Sequence, residues 1–192
     1  MIVGLTGGIG SGKTTVLNLF KEFNVATYIA DIEAKQLMNT SNVIKEKLIK
    51  EFGEDTYINN NLNRPYLAEI VFKNKEKLRV LNNIVHPEVY KHLQSFIANN
   101  SDKDYIIYEN AILFENGSDT LCDKIITITA PKDIKIQRVV KRDSTTKKEV
   151  ILRMNNQWLD EKKLLQSNYI IENIELKNTQ KTVQQIHNFL TQ

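Results

Sequence analysis

Apolar positions along the chain follow two rhythms. Short, nearly continuous runs read as strands: Met1-Ile2-Val3-Gly4-Leu5, Val25-Ala26-Thr27-Tyr28-Ile29, Tyr105-Ile106-Ile107-Tyr108-Glu109, the run from Lys124 to Ala130, and Tyr169-Ile170-Ile171. Between them, apolar residues recur at helical spacing. Val16, Leu17, Phe20 and Phe23 follow the first run, Ile136, Val139 and Val140 follow Pro131, and Val183, Ile186 and Leu190 close the chain. Strand, helix, strand at this spacing is a βαβ unit. The pattern therefore predicts an α/β fold around a parallel sheet of about five strands.

One interval breaks the alternation. After the second run, Ile44, Leu48, Ile49 and Phe52 share a face. A polar turn at 53–63 includes three consecutive Asn at 59–61, and then Leu67, Ile70 and Val71 resume the stripe. Leu78, Leu81, Ile84 and Val85 continue it, and Val89, Leu93, Phe96 and Ile97 follow Pro87. Pro87 suits a helix start, where its missing N–H would be unpaired anyway. Roughly 65 residues of helix exceed the ~10–15 of a plain crossover, so this interval reads as a helical insertion covering one side of a ligand crevice.

The chemistry begins where the first strand ends. Gly7-Gly8-Ile9-Gly10-Ser11-Gly12-Lys13-Thr14 fits G-x-x-x-x-G-K-[ST] between a strand and a helix. Glycines let such a loop curl with its N–H groups inward, and the helix N-terminus adds a favourable field for an anion. Lys13 reaches β/γ-phosphates and the Thr14 hydroxyl ligates Mg²⁺ in this motif. The loop implies a bound nucleoside triphosphate and says nothing about what accepts the phosphate.

Composition narrows the setting. The 192 residues support one core with an inserted subdomain, and 41% apolar content argues against disorder. A net charge of +3 is too mild to indicate nucleic acid. No apolar run approaches the ~18 residues of a membrane span. The N-terminus carries no basic segment ahead of an apolar one, as a signal peptide would. The single Cys122 fits a reducing compartment and reads as a small buried hydrophobe. A cytoplasmic location is the expectation.

Several polar residues stand where the topology gives them work. Ligands of open α/β sheets bind at the carboxyl ends of the strands, which puts Asp31, just after the second run, near the loop mouth. It reads either as a base positioning an acceptor hydroxyl or as the N-cap of a helix at 32–39. Arg138, Lys141 and Arg142 share a helix face, and with Arg153 they form either a lid over a triphosphate or a solvated basic face. Glu109 ends the third run, where a carboxylate can hold Mg²⁺ through water. Arg64 suits a substrate phosphate. His86 reads as structural when taken alone, and Trp158 and Tyr169 read as packing residues rather than base-stacking ones.

Taken together, these segments resemble the dephospho-CoA kinase family nearly end to end. The resemblance rests on Thr6-Gly7-Gly8-Ile9-Gly10 within the loop, Ala30-Asp31, Arg64-Pro65-Tyr66-Leu67 with Val71-Phe72, and Val85-His86-Pro87. It also rests on Leu113-Phe114-Glu115, Gln137-Arg138 through Arg142-Asp143, Arg153-Met154 with Gln157, and Ile171-Glu172-Asn173. The chain departs from the family pattern at Ile29, Ala111, Asn168 and Ile174-Glu175.

The resemblance implies a P-loop NTPase three-layer sandwich. Its parts are a nucleotide core (1–31, 99–137 and 159–192), a helical CoA-binding insertion (32–98) and a short lid (138–158). It implies transfer of the ATP γ-phosphate to the ribose 3′-hydroxyl of dephospho-CoA, the last step of coenzyme A synthesis, with Mg²⁺. Asp31, Lys13, Arg138 and Arg142 are then catalytic. Gly8, Ile9, Gly10, Ser11, Gly12, Lys13, Thr14, Thr15, Arg142 and Asn173 hold ATP, and Thr14 holds the metal. Asp31, Arg64, His86, Leu113 and Glu115 meet the acceptor. ATP and dephospho-CoA are the expected partners, with neither nucleic acid nor membrane. The rivals are another small-molecule or nucleoside monophosphate kinase, and a nucleotide switch. The His-Pro and Leu-Phe-Glu segments weigh against the first. The absence of an Asn-Lys-x-Asp guanine motif weighs against the second.

Overall fold

A computed structural model describes residues 1–192 as two compact units: Met1–Tyr28 with Asn100–Gln192, and Ile29–Asn99. In chain order the elements begin with β1 (Ile2–Thr6), α1 (Lys13–Lys21) and β2 (Ala26–Ile29). The helical stretch follows as α2 (Ala30–Thr40), α3 (Asn42–Phe52), β3 (Tyr57–Ile58), β4 (Asn61–Leu62), α4 (Arg64–Lys73) and α5 (Lys75–Ala98). The chain then continues through β5 (Ile106–Glu109), β6 (Lys124–Thr129), α6 (Lys132–Asp143) and α7 (Lys147–Met154). It ends with α8 (Asp160–Leu164), β7 (Tyr169–Glu172) and α9 (Leu176–Leu190).

The expected five-stranded parallel sheet is present, in the order β2-β5-β1-β6-β7. β1 is central. Leu5 pairs with Glu109 on one side and with Ile126 on the other, and Ile126 pairs with Tyr169. Every residue of β5, all but the first of β1 and the middle four of β6 are buried. This is the continuous apolar signature of strands covered on both faces. The register brings the carboxyl ends of β1, β5, β6 and β7 to one edge, where the Gly-rich loop leaves Thr6. α1 buries Val16, Leu17, Leu19 and Phe20 and packs on α9, whose Val183, Ile186 and Leu190 form the expected stripe.

In the second unit α5 packs against α2, α3 and α4 around Ile44, Leu48, Phe52, Leu67, Val71, Ile84 and Val85. Three details differ from the sequence reading. Pro87 does not start a helix; it lies inside the single 24-residue α5. An interior Pro sacrifices one backbone bond at about 3 kcal/mol. Here Asn83, whose carbonyl loses its partner, and Pro87 are both exposed, so water can satisfy the group while Ile84, Val85 and Leu93 keep both halves of the helix buried. The polar stretch at 53–63 holds a small hairpin, β3–β4, turned by Asn59 and Asn60 at φ 48° and 65°. Asn tolerates that left-handed backbone. Finally, α2 begins at Ala30 directly off β2, so Asp31 is its second residue rather than a cap. No helix is long and apolar enough to cross a membrane.

Candidate functional site

The site begins with the turn between β1 and α1. The Ser11 N–H donates to the Gly8 carbonyl (3.1 Å), which closes the loop. α1 starts at Lys13 behind Gly12, and no side chain caps it. A helix start without a side-chain cap leaves first-turn N–H groups for an anion. Gly12 sits at φ 92°, ψ 32°, and a Cβ there would collide with the Asn173 amide. Conformation and space therefore both demand glycine at this position.

Lys13 lies back along the loop. Its Nζ donates to the Gly7 carbonyl (3.0 Å) and stands 3.9 Å from Glu109 Oε1 at the end of β5. Thr14 and Thr15 are exposed, and with Gly12, Lys13, Arg138 and Arg142 they line a cavity of about 310 Å³. α6 thus brings Arg138 and Arg142 together at the loop, as their helical spacing implies.

The two arginines are held differently. Arg138 donates to the carbonyls of Asn173 (Nη2, 2.9 Å) and Ser11 (Nη1, 3.5 Å), which ties the loop to the residue after β7. Arg142 is largely exposed and grips Asp143 in a fork, Nε to Oδ1 at 2.7 Å and Nη2 to Oδ2 at 3.1 Å. Arg153 reaches the same carboxylate at 2.8 Å. The hydrogen bonds from Arg142 hold the Asp143 carboxyl below its ordinary range, and Asp143 in turn pushes the Arg142 guanidinium up.

Other expected site residues have protein partners. Asn173, expected at the adenine, is buried; its Nδ2 donates to Ser11 O (2.9 Å) and its Oδ1 accepts from Thr179 Oγ1 (3.1 Å). The Ile9 N–H, expected in the phosphate cradle, donates to Gln157 Oε1 (2.8 Å). The Leu113 side chain, expected on the acceptor side, is fully buried against Gly4. Glu115 meets Lys163 Nζ at 2.8 Å and accepts from the Trp158 N–H at 2.9 Å. Burial pushes the Glu115 pKa up, but the Lys163 and Trp158 hydrogen bonds outweigh it and hold the carboxyl below its usual range. Trp158 stacks on Phe114 and carries Lys162 Nζ 3.1 Å above its ring, in line with the packing role expected for it.

In the second unit Asp31 is exposed in the first turn of α2. Arg64 is exposed at the first position of α4, behind the Asn63 cap. His86 is exposed on α5 beside Pro87.

Sequence reasoning missed Lys135, Lys163 and Asp160, which flank the basic stretch at 138–153 and carry no local signal of burial. Lys163 is wholly buried, and Lys135 pairs with Asp160 at 2.6 Å. The one available signal was Lys135 standing three residues before Arg138 on the same helix face.

A family model for dephospho-CoA kinase matches residues 1–178. This chain belongs to the dephospho-CoA kinase family. A curated dephospho-CoA kinase of Fusobacterium nucleatum is 37% identical over 174 residues, covering 90% of this chain and 89% of that one. The solved dephospho-CoA kinase of Campylobacter jejuni shares the fold with a TM-score of 0.72 at 26% identity, over 98% of this chain and 96% of that one. A Thermus thermophilus protein, TT1252, superposes with a TM-score of 0.89 at 27% identity, over the same shares. The kinase fold of these neighbours is the P-loop NTPase fold expected from the loop.

Proposed function

We propose how the residues of this kinase divide the work of its reaction. That reaction is the ATP-dependent phosphorylation of dephospho-CoA, the final step of coenzyme A synthesis. Family membership displaces the rival small-molecule kinases and the nucleotide switch. The observation carrying the residue assignment is the cavity shared by Lys13, Thr14, Arg138 and Arg142 at the start of α1.

In this reading ATP lies with its phosphates on the loop, against Lys13 and the first turn of α1. The Thr14 hydroxyl would hold Mg²⁺ directly and Glu109 through water, and such hard oxygen donors suit this ion. No group of three or more His, Cys, Asp or Glu forms a separate cage, which fits a metal held largely by phosphate and water. When bound, the ion neutralises phosphate charge.

The helical insertion holds dephospho-CoA, with Arg64 and His86 on the acceptor side. Asp31 orients the ribose 3′-hydroxyl and takes its proton as that oxygen bonds to the γ-phosphorus. The bond from the γ-phosphorus to the bridging oxygen of ADP breaks in line. Arg138 and Arg142 stabilise charge on the transferring group and exclude water, a competing acceptor. Arg142 exchanges Asp143 for phosphate oxygens at little loss, because an exposed ion pair contributes little. We place the enzyme in the cytoplasm, where a lone cysteine is at home.

ADP release with dephospho-CoA, compared with AMP and nucleosides, tests the substrate. The same assay on Asp31→Asn tests the mechanism. Turnover falls by roughly 10²–10⁴ while ATP still binds, and a wild-type kcat would remove Asp31 from the chemistry.

A further inference from the structure

A second cavity, about 620 Å³, opens on the first arm of the loop and is lined by Gly8, Ile9, Lys135, Gln157, Trp158 and Asp160 among others. Four of its polar side chains, Thr129, Lys135, Gln157 and Asp160, are paired to one another or to the loop. Asp160 Oδ2 accepts from Lys135 Nζ (2.6 Å) and from Thr129 Oγ1 at the end of β6 (2.8 Å). The pair is mostly shielded from water, with side-chain exposures of 7% and 16%. Its other oxygen, Oδ1, lies against the Gly8 Cα, so close that a Cβ there would stand 2.8 Å away. The next residue is held twice. The Ile9 N–H donates to Gln157 Oε1, and the Ile9 side chain packs on the Ile136, Val139 and Val150 cluster of α6 and α7.

Consecutive loop residues are therefore gripped by the segments that flank α7. Lys135 lies on α6 before it, and Gln157 and Asp160 lie after it. Phosphate-binding dipoles are effective when they are already aimed before the ligand arrives. A loop rich in glycine has the most freedom to lose, so something must hold it.

We propose that Gln157 and the Lys135–Asp160 pair are positioning residues for ATP. From the second cavity they fix Gly8 and Ile9, and through them the turn that receives the phosphates. They act on ATP through the loop and not on the acceptor. Gly8 is glycine because the Asp160 carboxylate occupies the space of its side chain. The inference rests on the reading of Gly7 to Thr14 as the ATP loop.

The test is steady-state ADP release by the full chain, with ATP and dephospho-CoA varied separately, for Gly8→Ala, Asp160→Ser and the double variant. Thermal melting confirms that each is folded. Each single change raises the KM for ATP about tenfold and leaves the dephospho-CoA KM within about twofold, and Asp160→Ser also leaves kcat within about twofold. The double variant also shows about tenfold, not about a hundredfold, because both changes act through one contact. Gln157→Met shifts the ATP KM in the same direction. Multiplying effects, an unchanged ATP KM in either single variant, or an equal shift in the acceptor KM would overturn the proposal. If Asp160→Ser does not fold, Asp160→Asn takes its place: a rise in the ATP KM alone supports the role, and no rise overturns it. Lys13→Ala, run alongside, separates the two readings. If it leaves the ATP KM and turnover intact, the loop assignment itself fails, whatever the pair does.

Discussion

Lys163→Met removes one charge from a pair that the fold has almost closed to water. Lys163 is wholly buried and Glu115 keeps 14% of its side-chain surface, with Nζ 2.8 Å from Oε1. Lys163 also donates to the Ala111 carbonyl at 2.9 Å. Met preserves the length and apolar stem of the side chain, so the variant isolates the ammonium. What remains is a largely buried carboxylate that keeps backbone N–H groups, Trp158 on Oε1 among them, but no compensating charge, while Oε2 has no hydrogen-bond partner. Breaking a buried pair from one side costs about 3–5 kcal/mol, more than forming it contributes, because the surviving charge is stranded. At ~2–4 °C per kcal/mol for a chain of this size, the melting temperature falls by roughly 6–20 °C.

Urea unfolding at pH 7 measures the loss directly, and Lys163→Met/Glu115→Gln recovers most of it because no charge is left behind. The pH dependence gives a second check. The Glu115 carboxyl is held low in the folded protein, so its contribution is complete above the unfolded value of about 4.3 and disappears as the pH falls through the lower folded value. The gap between wild type and Lys163→Met therefore narrows on acidification. A loss below about 1 kcal/mol at pH 7, the scale of a surface pair, would refute the reasoning, as would a double variant weaker than the single one.

Three further outcomes follow from the same geometry. Lys13→Ala lowers kcat/KM by about 10²–10³, or 3–4 kcal/mol of transition-state stabilisation, in the ADP-release assay; a near-neutral effect would contradict the loop assignment. Arg142→Ala lowers kcat more than ATP affinity and leaves the melting temperature unchanged, because its partner Asp143 stays in contact with Arg153; a loss confined to ATP affinity would make it a binding residue only. Burial, with Asp119 and Asp123 nearby, pushes the Cys122 thiol up to about 12. Thiol reagents at pH 8 therefore label the native protein slowly and the urea-unfolded protein fast, and rapid native labelling would show a reactive thiolate.

Much of the fold was legible because its signals are local. A strand buried on both faces shows as an unbroken apolar run, and Ile106 to Glu109 and Lys124 to Thr129 were visible in that way. Helical stripes such as Val183, Ile186 and Leu190 carry their own period. Where local signals conflict with packing, packing prevailed. Pro87 reads as a boundary, yet α5 runs through it, because burying Ile84, Val85 and Leu93 outweighs one backbone bond. Leu113 and Glu115 stand in a segment that marks the family, and their neighbours, not their identities, set them in the core and in an ion pair.

The sequence by itself determined the fold class, the Gly-rich phosphate loop and the family, because each is written in local patterns: runs and stripes along the chain, spacing within one loop, and short segments that each carry their own signal. The tertiary structure alone decided the strand order β2-β5-β1-β6-β7 and the partners of the loop. Asn173 braces Ser11 from 162 residues away, and Asp160 meets Lys135 from 25. No periodicity encodes which distant side chain arrives at a given glycine. That is settled when the sheet assembles and brings its strand ends, with the helices that follow them, around a single loop.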